Sequence, residues 1–377
     1  MTRDTTGNAG SGAGAGVEAG ATVDGSAGVK AGVPARAAGE GSGAASGRAP
    51  GPPIRVGRRA RYAVEWVAVR AVAAVISRLP LDTVRRCGTL LGRAAYAVDG
   101  WHRRIASENL AAAFPGRTPD ERDAVVRAMF EHFGRLLLEL IRFGALDREQ
   151  MLAAIDTEGE ERVWQAYQKG RGVLFFTGHF GYWEMQAIVQ PLTVRPVSVL
   201  ARPLDNPRLD AMLERIRTCT GNAVIYRQGA IRKVLRELGA NHGIAMLIDQ
   251  HLHSPDVVQV DYFGRPVATT SALAALAVRT GAPVIPVFAL PLPHGRYRMV
   301  FEHPVDPPAT DAPDAIREFT QRCTDVLEMY VRRHPDLWLW MHRRWREPRP
   351  ASAGTTPHSD PTSRPDTTSR PDAGSAG

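Results

Sequence analysis

From Gly170 onward, apolar runs too short for helices alternate with stretches of helical length, and this rhythm constrains the fold most. Val173-Leu174-Phe175-Phe176 follows Gly-Arg-Gly, and similar runs recur at 197–201, 223–226, 244–248 and 284–290. Helical patterns lie between them at 181–190, 206–220, 229–239 and 271–280. A strand that is apolar on every residue, without polar alternation, has both faces covered. Strands alternating with helices place those covers on either side of a largely parallel sheet. The expectation is therefore an α/β fold with a largely parallel central sheet flanked by helices. Arg296–Glu302 reads as an added strand, and 311–333 as a final helix before a Trp-rich end. Upstream, helices are expected at 82–98, 101–113 and 119–143, the last capped by Thr118, with Asp120 and Glu121 in its first turn.

Of the 377 residues, the α/β body accounts for about 295, at 54–348. Residues 1–53 hold 14 Gly and 13 Ala and no Leu, Ile, Phe, Trp or Tyr. Such a segment buries too little apolar area to offset its ordering entropy and is expected to be a disordered tail. Residues 349–377, rich in Ser, Thr, Pro and Asp, are expected to be a second one. Each tail balances its own charges, so the net +8 falls on the body. A basic body suits an anionic partner: nucleic acid, an acidic membrane surface or an acidic carrier. Only Lys30, Lys169 and Lys233 are lysines, a bias that phosphate recognition and GC-rich coding both produce. Cys87, Cys219 and Cys323 lack zinc or disulfide spacing, which fits a reducing compartment.

The first apolar segment, 62–79, carries Glu65 and Arg70 and ends at Pro80. Arg55, Arg58, Arg59 and Arg61 precede it, and Arg78, Arg85 and Arg86 close it. It is short and charged for a membrane span. A buried helix is one reading. The other is a helix at the membrane interface, its arginines among lipid phosphates, so that 54–80 forms a membrane-associating segment. With no apolar leader ahead of it, the expected place is the cytoplasmic face of the inner membrane.

The sharpest constellation is Gly178-His179-Phe180-Gly181-Tyr182-Trp183-Glu184. His179 follows an expected strand, and open α/β sheets place their sites beyond the carboxyl ends of the strands. An acid five residues on can hold one ring nitrogen, leaving the other to take a proton from a hydroxyl. A hydrogen-bonded structural histidine fits the bare pattern equally well.

GHFGYWE resembles the His-x4-Asp/Glu motif of glycerolipid-type acyltransferases, and more specifically the bacterial late acyltransferases of lipid A synthesis, the lauroyl/myristoyl transferases. Four further stretches and a short IDQ agree in order: RRIASENLAAAFP (103–115), ARPLDNPRLDAMLERIRTCTG (201–221), IDQ (248–250), DYFGRPVATTSALAALAVRTGAPVIPVF (261–288) and PDLWLWMHRRW (335–345). The Phe-Pro-Glu-Gly block of the glycerol-3-phosphate acyltransferases is missing from the sequence, and Tyr182 stands where the family commonly has Asn. The resemblance implies transfer of a fatty acyl group from acyl carrier protein to a hydroxyl of a lipid A precursor, with His179 as base and Glu184 orienting it. A mannosylated phosphoinositide is a rival acceptor for the same chemistry. A thioester is already activated, so the reaction requires no metal, nucleotide or other cofactor, only a base and donors for the oxyanion.

Other candidates follow from strand ends and the resemblance. Arg217, matching a family Arg, fixes an acceptor phosphate or lies on a solvated helix face. Arg202 and Asn206 sit on the turn after a strand, to bind substrate or to shape the turn. Asp249, also at a strand end, binds a sugar hydroxyl or caps the next turn; Gln250 is a weaker candidate. Thr269 and Thr270 are expected to cap the helix from 271. Trp338, Trp340, His342, Arg343, Arg344 and Trp345 suit either a lipid headgroup boundary or the cover of an acyl tunnel. His251 and His253 beside Asp249 have an incidental look for a metal site. A nucleic-acid module would need a clustered basic stripe or a recognised motif, and neither occurs, so nucleic acid is not an expected partner. A hydrolase would need a G-x-S-x-G elbow, which is absent. A non-catalytic membrane protein leaves His179 unexplained.

Overall fold

The computed structural model of the chain describes residues 56–226, 229–250, 257–307 and 313–345; the two expected tails lie outside them. Four long helices come first: α1 (Val56–Ile76), α2 (Leu81–Val98), α3 (Gly100–Ala113) and α4 (Pro119–Phe143). A capping box starts α4: the Thr118 hydroxyl accepts from the Glu121 amide, and the Glu121 carboxylate accepts from the Thr118 amide. The α/β part then runs α5 (Arg148–Ala153), β1 (Ile155–Glu158), α6 (Glu160–Gln168), β2 (Val173–Thr177), α7 (Trp183–Thr193), β3 (Val197–Ala201), α8 (Pro207–Thr218), β4 (Ala223–Tyr226), α9 (Ala230–Gly239) and β5 (Gly243–Leu247). It closes with β6 (Val257–Tyr262), β7 (Arg265–Thr270), α10 (Ala272–Thr280), β8 (Val284–Pro291), β9 (Tyr297–Phe301) and α11 (Pro313–Arg333).

Seven strands form the sheet, in the order β1-β9-β8-β2-β5-β3-β4. All neighbours are parallel except β8 and β9. The added strand at 296–302 is thus β9, hairpinned back from β8. In β2, at the middle of the sheet, every residue is buried. One core layer packs Leu174, Phe176, Ile244 and Phe288 with α4 and α11, and the other packs Phe175, Ile285 and Val287 with α7. The hairpin β6–β7 stands apart as its own two-stranded sheet. Its turn residues Phe263 and Gly264 both have positive φ, the conformation of a tight two-residue hairpin.

The Trp-rich end is not a surface element. Trp338, Trp340 and Arg344 are almost fully buried, in a cluster with Tyr262, Phe263 and Phe114. The headgroup-boundary expectation therefore fails for these three residues: the aromatic rings face one another, and only Arg343 of the group is exposed. Helix α1 is not the fully buried helix of the first reading. Tyr62 and Ile76 are buried, whereas Val64, Val67, Val72 and Val75 are exposed. Among the described residues, no helix is long and apolar enough to cross a membrane.

Candidate active site

Parallel register builds the site. Thr177 at the end of β2 pairs with Leu247 at the end of β5, and the Ile248 amide donates to the Thr177 carbonyl at 3.0 Å. Two residues further along each strand stand His179 and Asp249, side by side at the carboxyl edge. His179 Nδ1 lies 2.8 Å from Asp249 Oδ1, and the His179 amide donates to Oδ2 at 2.7 Å. Trp338 Nε1 donates to the same Oδ2 at 2.9 Å, and His342 Nε2 donates to the Asp249 carbonyl at 3.2 Å.

Gly181 closes the turn with φ +55°, and a Cβ there would stand 2.0 Å from the Ala289 carbonyl oxygen, so no other residue fits. Its amide donates to the Leu337 carbonyl, and its carbonyl accepts from His132 Nε2 at 3.1 Å. Burial lowers the pKa of His132 to about 4, keeping that ring neutral.

Electrostatics follow from this geometry. Burial works against a charged His179, but the charge of Asp249 and its hydrogen bond outweigh it, and the pKa is raised above the ordinary imidazole value. Burial penalises the Asp249 carboxylate in turn, yet His179 holds its pKa well below the usual range. With a carboxylate on Nδ1, the proton resides there and Nε2 presents its lone pair outward. The His179 side chain keeps 14% of its surface exposed, and the exposed Gln250 amide stands 3.4 Å from Nε2.

The structure corrects the expected partner of His179. Helix α7 begins at Trp183, whose ring packs against the imidazole, and carries Glu184 toward α8 instead. There Arg217 grips the carboxylate with two bonds, Nε at 2.8 Å and Nη2 at 2.5 Å. The pair remains within electrostatic reach of His179: Glu184 raises the imidazole pKa and Arg217 lowers it. Asp249 therefore neither meets a sugar hydroxyl nor caps a turn; its carboxylate is filled by His179 and Trp338.

Asn206 is corrected as well. It is buried at the N-cap of α8, its side chain accepting from the Arg208 amide. Its Nδ2 donates to the Tyr62 carbonyl and to Glu65, both on α1, so its side chain clasps α1. Arg202 is exposed, 3.7 Å from the equally exposed Asp205, and is not drawn to His179. Thr270 is not the cap of α10: Ser271 holds the N-cap position, and the Thr270 hydroxyl, one residue earlier, accepts from the Ala272 amide at 3.2 Å. Thr269 instead accepts from the buried Arg344. His251 and His253 lie outside the described residues. Trp338 and His342, expected at a headgroup boundary or over an acyl tunnel, instead hold Asp249, and His132 on the turn has no signal in the sequence. The legible signal was position at a strand end, which pointed to His179 and Asp249 but equally to Arg202 and Asn206.

A helix-covered, mostly parallel sheet with a carboxylate-held histidine at its carboxyl edge is a framework for moving a proton off a hydroxyl. The sequence profile described as "Bacterial lipid A biosynthesis acyltransferase" matches residues 56–347, and the chain belongs to that family; it is an O-acyltransferase. The chain is 24% identical over 290 residues to the Lipid A biosynthesis myristoyltransferase of Escherichia coli K12, covering 75% of this chain and 87% of that one. It is 25% identical over 288 residues to the Phosphatidylinositol mannoside acyltransferase of Mycolicibacterium smegmatis, covering 75% and 90%. Among solved structures, the 1-acyl-sn-glycerophosphate acyltransferase of Thermotoga maritima aligns with a TM-score of 0.31 and 18% identity, covering 64% of this chain and 94% of that one.

Proposed function

We propose that the protein moves a fatty acyl group from an acyl carrier protein thioester to a hydroxyl of a lipid A precursor, working at the cytoplasmic face of the inner membrane. The observation that carries the reading is the His179–Asp249 pair, with Nε2 turned outward at the edge of the sheet. Nε2 takes the hydroxyl proton as the oxygen attacks the thioester carbonyl. Asp249 stabilises the imidazolium so formed. When the tetrahedral intermediate collapses, the C–S bond breaks and the imidazolium returns its proton to the leaving thiolate. Arg217, held by Glu184, is in this reading the contact for an acceptor phosphate. The exposed valines and flanking arginines of α1 are the membrane contact. A phosphatidylinositol mannoside is the second reading of the acceptor, supported by the near-equal identity to both groups of relatives.

His179→Ala tests the core of this. Transfer should fall on the order of 10²- to 10⁴-fold, the usual worth of a positioned base, with thermal unfolding little changed. Full activity in the purified variant would sink it. Lipid mass spectrometry of cells with and without the gene separates the two acceptors.

A further inference from the structure

At the break between α2 and α3, Val98 is 83% exposed and Trp101 is 60% exposed. Isolated exposed apolar residues are ordinary, but this pair stands on a fixed frame. Asn109 on α3 is buried, and its Nδ2 donates to the carbonyls of Trp340 and His342, both at 2.8 Å. His342 sits with its ring centroid 6.2 Å from that of His179. The next residue, Arg343, is exposed and lays its guanidinium over the Trp101 ring at 5.7 Å. Arg104, one turn along α3, is exposed too. An apolar tip rimmed by arginines is therefore linked, through the Arg343 side chain, to the neighbour of His342, and His342 bonds the Asp249 carbonyl.

We propose that Val98, Trp101, Arg104 and Arg343 form a second membrane-contact surface, separate from α1, which seats the mouth of the site on an anionic bilayer. The inference rests on the lipid-acceptor reading of the site. Trp suits the headgroup level because one part of its ring is apolar and its N–H is polar, and arginine at the same depth meets lipid phosphate. A bilayer interface accommodates all four at one depth, the apolar side chains below its headgroups and the arginines among its phosphates. Asp99 is no obstacle, since its carboxylate accepts from the backbone and ring of His102.

The test uses the full chain and sedimentation with phosphatidylcholine vesicles, with and without phosphatidylglycerol. Val98→Gln with Trp101→Gln should weaken partitioning about tenfold or more on both vesicle types, because apolar burial is lost. Arg104→Gln with Arg343→Gln should lower binding to anionic vesicles roughly 30-fold and leave neutral vesicles unaffected. In the activity arm, the apolar pair of substitutions should raise KM for a vesicle-embedded acceptor while turnover with a soluble acceptor stays as in the parent. Unchanged partitioning in a normally folded Val98→Gln/Trp101→Gln protein overturns the proposal. So does a loss of turnover in the vesicle-free assay that is confined to carrier-bound donor, which would make the surface a protein dock. Partitioning reads out even if the acyltransferase reading of the site fails, so the two failures are distinguishable.

Discussion

The turn that carries His179 and the helix α1 are joined to the same body in opposite ways. Residues 178–182 are tied from five directions: Asp249 on the His179 amide and ring, the Leu339 amide on the His179 carbonyl, the Leu337 carbonyl on the Gly181 amide, His132 on the Gly181 carbonyl, and Ala289 on the Tyr182 amide. These partners come from α4, β8, the end of β5 and the buried C-terminal segment, so the turn acquires its shape only when the whole core has formed. Helix α1, by contrast, is held by Tyr62, Ile76, the Asn206 clasp and the Arg208 guanidinium over Trp66. The candidate site is anchored from several elements at once, while α1, the proposed membrane helix, is attached by few contacts.

Asp249→Asn strikes the tied region hardest. The amide cannot reproduce both acceptor roles, so the imidazole loses its tautomer and its counter-charge. Transfer should fall on the order of 10²- to 10⁴-fold. The sign of the pH effect follows from the charge. Asp249 favours the imidazolium and raises the His179 pKa, and the base acts only when neutral. Removing the charge lowers that pKa, so the acid limb of kcat/KM should move to lower pH even as the rate drops. If Glu184→Gln cost more and moved the limb further, Glu184 would be the orienting acid after all.

The Glu184–Arg217 pair gives a smaller, two-signed effect. Arg217→Met leaves a mostly buried carboxylate without its partner, which costs about 1–3 kcal/mol once the remaining exposure is discounted. It also removes a charge that lowers the His179 pKa, so the acid limb should move up; Glu184→Gln should move it down. The double variant should regain part of the lost stability and bring the limb back toward the parent. Purely additive shifts in unfolding temperature would show that the two side chains do not act as a pair.

What the sequence made legible tracks which interactions are local. Apolar runs and their helical partners placed β2, β3, β4, β5 and β8 within a residue or two, because both depend on near neighbours. The capping box of α4 is local as well. The hairpin β6–β7 went unread although 257–262 alternates buried with exposed positions toward its end, because Phe-Gly is an uncommon turn pair. Strand β1 is four residues long and half-exposed, too short to carry a period. Glu184 was favoured over Asp249 because a five-residue spacing is visible along the chain. The 70-residue separation of His179 and Asp249 closes only through the β2–β5 register. The buried Trp338, Trp340 and Arg344 have interfacial composition, and nothing local reveals that Arg344 finds the Ala268 carbonyl and Thr269 inside.

Asn206→Ala probes the loosely held region. It removes the N-cap of α8 and the clasp on α1, for a loss of about 1–2 kcal/mol. Proteolysis within 56–76 should quicken, while transfer to a soluble acceptor should stay within about twofold of the parent, an estimate that follows from Asn206 touching α1 and not the site. A large rise in acceptor KM with unchanged proteolysis would return Asn206 to the substrate.

The smallest expected effect concerns the proposed carrier. Of the two basic groups that could steer it, 343–346 is reduced by burial of Arg344, and Arg346 lies outside the described residues. Arg232, Lys233 and Arg236 are exposed on α9, which follows β4 at the same carboxyl edge that bears His179. Charges of this kind raise the encounter rate and are screened beyond about 10 Å at 0.1 M salt. Apparent KM for acyl carrier protein should therefore rise several-fold, roughly in line with that screening, from low salt to about 0.5 M, with kcat nearly constant. Replacing the three α9 residues with Gln should flatten the dependence, and a short acyl thioester without carrier should show almost none. Anionic lipid binding weakens with salt too, so the measurement belongs in neutral detergent micelles, where only the protein encounter remains. If the salt effect on KM vanishes there, the positive charge of the body serves the membrane alone, and carrier steering is withdrawn.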